Sequence, residues 1–185
     1  MEAKTLSLVE RLGMLGLKCD EVAFNRPCSA ITALATFPMY MVANVHAWTT
    51  DRQFKVPLVD IPGSEAIREA FVLGKEEGRL EISREHRHVV GTLLTAPKPS
   101  DRVIYEFALE TLAQYLEQAE PALADVIRTG VARTIVAAAR ASGEGFLGRG
   151  PKVSPEERDC ISHIGTMLQL AATPAAAAAL EKLND

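Results

Sequence analysis

The strongest constraint on the fold is the stretch Ala124–Leu170, which has the pattern of a long helix, a glycine-rich loop and a second helix. The second helix has a clear start at Ser154, because a serine N-cap is followed by proline at the first helical position and by Glu157, whose side chain can accept a hydrogen bond from the cap amide. The first helix is predicted to end at Ser142, before Gly143. Residues 143–152 form a long connection for a helical protein, and such connections are often functional.

Helical spacing of apolar residues predicts one buried face on each of these two helices. On the first helix the face contains Ile127, Val131, Ile135 and Ala138. On the second helix it contains Cys160, Ile161, Ile164, Met167, Leu168 and Ala171. The opposite face of the second helix is predicted to meet solvent through Glu157, Arg158, Ser162, His163 and Gln169.

The remainder of the chain also has helical patterns, and no stretch alternates with period two for long enough to require a sheet. The predicted helices are Ala3–Leu17, a fully buried Ser29–Trp48 bent at Pro38, Ser64–Gly78, Ser83–Thr95, Asp101–Gln118, the long helix opened by Pro121, the one opened by Ser154, and a last one from Thr173-Pro174 to Leu183. We therefore expect an all-α bundle of seven to eight helices in a single domain, 1–185. A division of this domain into two related helical units, 1–97 and 98–185, is left open as an alternative.

Composition limits the functional classes. Hydrophobic residues make up 48% and charged residues 24% of the 185 residues, as in ordinary globular proteins, and the formal charge of −4 gives no electrostatic reason to bind nucleic acid. The three cysteines are an odd number in no metal-site spacing and predict reduced thiols. With no evident secretory signal, they indicate a cytoplasmic protein.

The run Pro27–Thr50 contains no charged residue and is compatible with either a membrane span or a buried helix. Pro38, Asn44 and His46 interrupt it, which favours the buried helix.

The motifs predict binding more readily than catalysis. Cys160 and His163 form an isolated Cys-x-x-His pair, which is typical of a core thiol beside a surface imidazole and not of half a zinc site. An anion or partner contact is predicted from Arg149, Lys152 and the amides that follow the Ser154 N-cap, with a solvated loop as the alternative. No nucleophile elbow or activated-cysteine signature is present.

The segment Ile135–Leu170 resembles the second half of the tellurite-resistance TerB-like family. The matching residues are Ala141-Ser142-Gly143 at a turn, Val153-Ser154-Pro155-Glu156-Glu157 at a helix start and Leu168-Gln169-Leu170 at its end. The resemblance implies a bacterial, all-helical, non-enzymatic protein of stress response or tellurite resistance, acting through a protein partner or a membrane surface. It also implies a divalent-metal site for calcium or magnesium at Asp51, Glu156 and Glu157, although helix capping explains the two glutamates without a metal.

The alternative function comes from a different class. A small-molecule-binding protein or enzyme would have its pocket between helices near His46, Trp48 and Asp51. A homo-oligomer is compatible with either function. The sequence identifies no partner and no substrate.

Overall fold

The computed structural model describes residues 6–45, 101–142 and 153–183, and within these ranges the chain is helical with no strand. This confirms the all-α fold class. The helices are α1 Leu8–Met14, α2 Ser29–Leu34, α3 Phe37–Ala43, α4 Asp101–Gln118, α5 Pro121–Ser142, α6 Pro155–Met167 and α7 Pro174–Glu181, with a 3-10 turn at Leu170–Ala172.

The described helices share one hydrophobic core. α5 packs against α3 and α7, and α3 also contacts α4 and α6, so α3 is surrounded by other helices. This explains why the region around α3 contains no charged residue. The buried face predicted for α5 is confirmed, because all four of its predicted members are buried: Ile127, Val131, Ile135 and Ala138.

The predicted single helix Ser29–Trp48 is wrong within the described residues, because the chain forms α2 and then α3 with a break between them. Pro38 lies in the first turn of α3, where its missing amide proton costs no hydrogen bond. Continuing α2 through this proline would place its ring against the carbonyl of Leu34. α2 ends there, and the Thr36 amide and hydroxyl both bond to the Ala33 carbonyl, at 3.0 and 2.7 Å.

The two ends of α6 differ from the predicted pattern. Glu157, expected on the solvent face, is 1% exposed. At the other end, Gln169 has a left-handed backbone with φ of 54°, which ends the helical register. Ala171, expected on the apolar face, is consequently exposed.

Several predictions lie outside the described residues: the helices 64–78 and 83–95, and the loop 143–152. Among the described helices, none combines the length and the apolar character needed to cross a bilayer.

Candidate functional site

The start of α6 is held by a reciprocal cap. The backbone amide of Ser154 donates to Glu157 Oε2 over 2.7 Å, and the Glu157 amide donates to Ser154 Oγ over 3.2 Å. The capping box predicted from the sequence is thus confirmed. In this cap the Glu157 carboxylate folds back over the first turn to reach the Ser154 amide.

This cap bears on the predicted anion contact. Two of the amides at the helix start, those of Ser154 and Glu157, already have acceptors within the cap. Arg149 and Lys152, which would supply the positive charge, lie outside the described residues. The anion contact stays a prediction.

Two of the three predicted metal ligands, Glu156 and Glu157, differ in their surroundings. Glu157 is buried in the cap, whereas the neighbouring Glu156 is exposed, and Asp51 lies outside the described residues. Within 6–45, 101–142 and 153–183 no group of three or more His, Cys, Asp or Glu side chains is placed to hold a metal ion. Calcium or magnesium binding by Asp51, Glu156 and Glu157 also stays a prediction.

A cavity of about 270 Å³ lies where the end of α3, the start of α4 and the first turns of α6 meet. The first two lining residues come from the α3 end, the third from α4 and the others from α6: Met41, Val45, Arg102, Glu156, Asp159, Cys160 and His163. The α6 residues are three or four positions apart, so they share one face of the helix. The cavity therefore combines an apolar floor with a charged rim.

A chain of charged groups links α4 to α6 beside this cavity. Glu106 Oε2 lies 2.7 Å from His163 Nε2, in hydrogen-bond contact, and its other carboxylate oxygen lies 3.6 Å from Arg102 Nε. The carboxylate of Glu106 is thus shared between two nitrogen-bearing side chains. This arrangement fixes the His163 ring at the rim.

Cys160 is the one sulfur group of α6 on the cavity wall. Its side chain is buried, and burial together with the negative charge of Glu106 raises the thiol pKa to about 12. Arg102 acts in the opposite direction but does not offset the burial. The thiol therefore stays protonated at neutral pH. The predicted core thiol beside a surface imidazole is found, since Cys160 is buried and the His163 side chain is 42% exposed.

His46 and Trp48, named for the alternative pocket, lie outside the described residues, as does Asp51. The cavity nevertheless reaches Val45, the residue directly before His46. Sequence reasoning missed Arg102 and Glu106. Their spacing of four on a helix was a readable signal for an ion pair, but nothing in the sequence indicates that Glu106 meets His163 from another helix.

Comparisons of the chain with models of protein families, with curated proteins and with solved structures found no match.

Proposed function

We propose that the protein is a non-catalytic binding module whose cavity between α3, α4 and α6 accepts a ligand with a short apolar body and a cationic head. The observation that carries this proposal is the composition of the cavity. Met41 and Val45 form an apolar floor, while Glu156 and Asp159 place carboxylates at the rim. A volume of about 270 Å³ suits a small ligand or one long side chain.

The preference for a cation follows from the charges around the cavity. The charge of Glu106 is shared by Arg102 and His163. Glu156 and Asp159 are exposed, and neither carboxylate forms a hydrogen bond or ion pair with any residue of 6–45, 101–142 or 153–183. These two carboxylates are therefore available to an incoming amine or guanidinium.

Charge alone would give weak binding. An ion pair at an exposed rim contributes about 0.2–1 kcal/mol, whereas each methylene removed from water contributes about 0.8 kcal/mol. A ligand with several methylenes against Met41 and Val45 would therefore gain more from its apolar body than from its head. Affinity should depend on both parts.

The chemistry of Cys160 favours binding over catalysis. Cys160, His163 and Glu106 have the residue types of a thiol-dependent catalytic site, but a catalytic cysteine needs a lowered pKa. Burial raises the pKa of this thiol to about 12. The group consequently lacks the thiolate that would act as nucleophile.

The same ligand chemistry has two sources. A free aliphatic amine and the lysine side chain of a partner protein both present a methylene stem with a cationic end. A lysine-bearing partner would agree with the contact function implied by the TerB-like resemblance. A role in stress response or tellurite resistance rests on that resemblance alone and stays a prediction.

Calorimetric titration with three matched ligands tests the proposal. Butylamine should bind, butanol should bind more weakly, and butyrate should show no binding because the rim is acidic. Asp159→Asn and Glu156→Gln should weaken butylamine binding, whereas Glu117→Gln, an exposed acid on α4 away from the cavity, should leave it unchanged. Equal affinity for all three ligands, or equal affinity in all variants, would refute the cationic site.

A lysine whose α-amino and carboxyl groups are both blocked distinguishes a free aliphatic amine from the lysine side chain of a partner protein. Tighter binding of the blocked lysine than of butylamine would indicate a partner protein, since only a partner supplies the flanking main chain. Tighter binding of butylamine would indicate a free amine.

A further inference from the structure

Two thiols meet in the segment that connects α1 to α2. Cys19 lies within this segment, and Cys28 is the N-cap residue of α2. Their Sγ atoms are 3.2 Å apart, in hydrogen-bond contact, and both are free thiols. Both side chains are half-buried, so a small reagent can reach them.

The Cys28 side chain is in an unusual position for an N-cap residue. The backbone there is extended, as an N-cap requires, but the side chain makes no capping hydrogen bond. Its sulfur contacts Cys19 instead. The Cys28 sulfur is thus engaged with the other thiol and not with an amide of α2.

The fold holds this segment in place through Tyr115 of α4. The Tyr115 hydroxyl donates to the Ala23 carbonyl over 3.0 Å, and its ring stacks on Phe24 with 5.7 Å between ring centres. The amide of Glu120 donates to the Phe24 carbonyl over 2.8 Å. Residues between the two cysteines are therefore anchored, and the thiols are kept together by tertiary contacts and not by the short sequence separation alone.

We propose that Cys19 and Cys28 form a redox-modifiable dithiol, which a low-molecular-weight disulfide converts to an intramolecular disulfide. One of the two thiols, as its thiolate, attacks a sulfur of the external disulfide, forms a mixed disulfide and releases one thiolate. The second cysteine then attacks the protein sulfur of the mixed disulfide and releases the other thiolate. Both protein thiol protons pass to the two released thiolates, so two electrons leave the protein and reduce the external disulfide to two thiols.

The geometry favours closing the ring over stopping at the mixed disulfide. A disulfide requires the sulfurs to approach to about 2 Å, so each needs to move by less than about 1 Å from the present contact. Holding the second thiol against the first makes its attack intramolecular, with a high effective concentration.

The surroundings also indicate that the reaction is slow at neutral pH. Burial, followed by the contact with Cys28, raises the pKa of Cys19 to about 12, and the nearby charge of Asp20 acts in the same direction. Exchange with an external disulfide should therefore be slow at neutral pH and should become faster as the pH rises.

The disulfide would link the segment after α1 to the start of α2. Closing a ring of this length lowers the conformational entropy of the unfolded chain. We therefore expect the oxidised protein to melt about 5–10 °C higher than the reduced one.

Incubation of the full chain with glutathione disulfide, followed by alkylation of the remaining thiols in denaturant and intact-mass measurement, tests the proposal. The expected product has lost two hydrogens, carries no glutathione and retains one alkylatable thiol, Cys160. The Cys160→Ser variant should give the same disulfide and no alkylation. Cys19→Ser and Cys28→Ser should each accept glutathione without forming the internal bond, with circular dichroism confirming that they remain helical.

Three outcomes would overturn the proposal. One is a parent protein with all three thiols still alkylatable after oxidation. Another is a stable glutathione adduct on the parent at Cys19 or Cys28, which would show that the ring does not close. The third is loss of the disulfide in Cys160→Ser, which would assign the bond to a different pair.

Discussion

Arg128 Nε in α5 donates a 3.0 Å hydrogen bond to the main-chain carbonyl of Leu168, the C-cap residue of α6. The last carbonyls of a helix have no partner within the helix, so this arginine satisfies one of them. Nearby, Thr173 Oγ1 donates to Asp125 Oδ1 over 2.7 Å. Two side-chain contacts from α5 therefore fix the corner between α6 and α7, and with it the helix that carries most of the cavity rim.

Arg128→Ala should destabilise the protein by about 1.5–3 kcal/mol, because a charged donor is lost from a largely buried carbonyl. The Arg128 side chain is only 14% exposed, so water replaces the bond poorly. Unfolding in urea measures the change. Arg140→Ala, at an exposed position on the same helix, is the control and should change stability by less than about 0.5 kcal/mol. Equal effects of the two substitutions would contradict the importance of the Leu168 contact.

Gln169→Gly should stabilise the protein. Gln169 is exposed and has a φ of 54°, a conformation that costs a residue with a Cβ roughly 1–2 kcal/mol and costs glycine little. The greater freedom of glycine in the unfolded chain offsets part of this, which leaves a gain of about 0.5–1 kcal/mol. Gly165→Ala is a useful comparison, because Gly165 lies inside α6 with open space where a Cβ would stand, and the substitution should gain a similar amount through helix propensity. A loss of stability in Gln169→Gly would show that its side chain contributes more than its backbone costs.

The sequence predicted best where local signals decide the structure. Ser154 and Glu157 are three residues apart, so their cap could be identified directly, and Pro121 marked the start of α5. The same kind of cap at Ser7 and Glu10 of α1 was present in the sequence and was missed. Helix boundaries were therefore within reach of local reasoning.

Long-range contacts could not be obtained in this way. Glu106 and His163 are 57 positions apart, and their 2.7 Å contact depends on how α4 and α6 cross. The burial of Glu157 was also mispredicted, since a charged side chain was assigned to solvent by its type, although it is 1% exposed. The site thus depends on tertiary packing that residue spacing does not encode.

Ser154→Ala should lower the free energy of unfolding by about 1 kcal/mol, because the α6 cap is lost. The loss should be the same in the presence of calcium, magnesium or a chelator. Glu157→Gln should cost less, because an amide oxygen can still accept from the Ser154 amide. Thermal unfolding under the three conditions measures both effects. The predicted site at Asp51, Glu156 and Glu157 leads to a different result: calcium or magnesium would stabilise the parent, and Glu156→Gln, which leaves the cap intact, would remove that stabilisation.

Cys160 should be alkylated slowly by iodoacetamide in the folded protein, with a rate that rises as the pH increases toward 12. The thiolate is the reactive form, and burial followed by the charge of Glu106 raises the pKa of this thiol from 9.0 to about 12. Unfolding returns the pKa to its ordinary value, so the contribution of Cys160 to stability is present below about pH 9 and is lost as the pH rises through the folded value.

Alkylation rates should therefore be compared at or below about pH 9, where this contribution is intact. They are measured by mass spectrometry in a Cys19→Ser, Cys28→Ser background. Glu106→Gln should accelerate alkylation because a negative charge is removed, whereas His163→Gln should not, since Glu106 remains. Rapid alkylation of the folded parent at neutral pH that His163→Gln abolishes would contradict this result, and the non-catalytic function proposed for the cavity would fail with it.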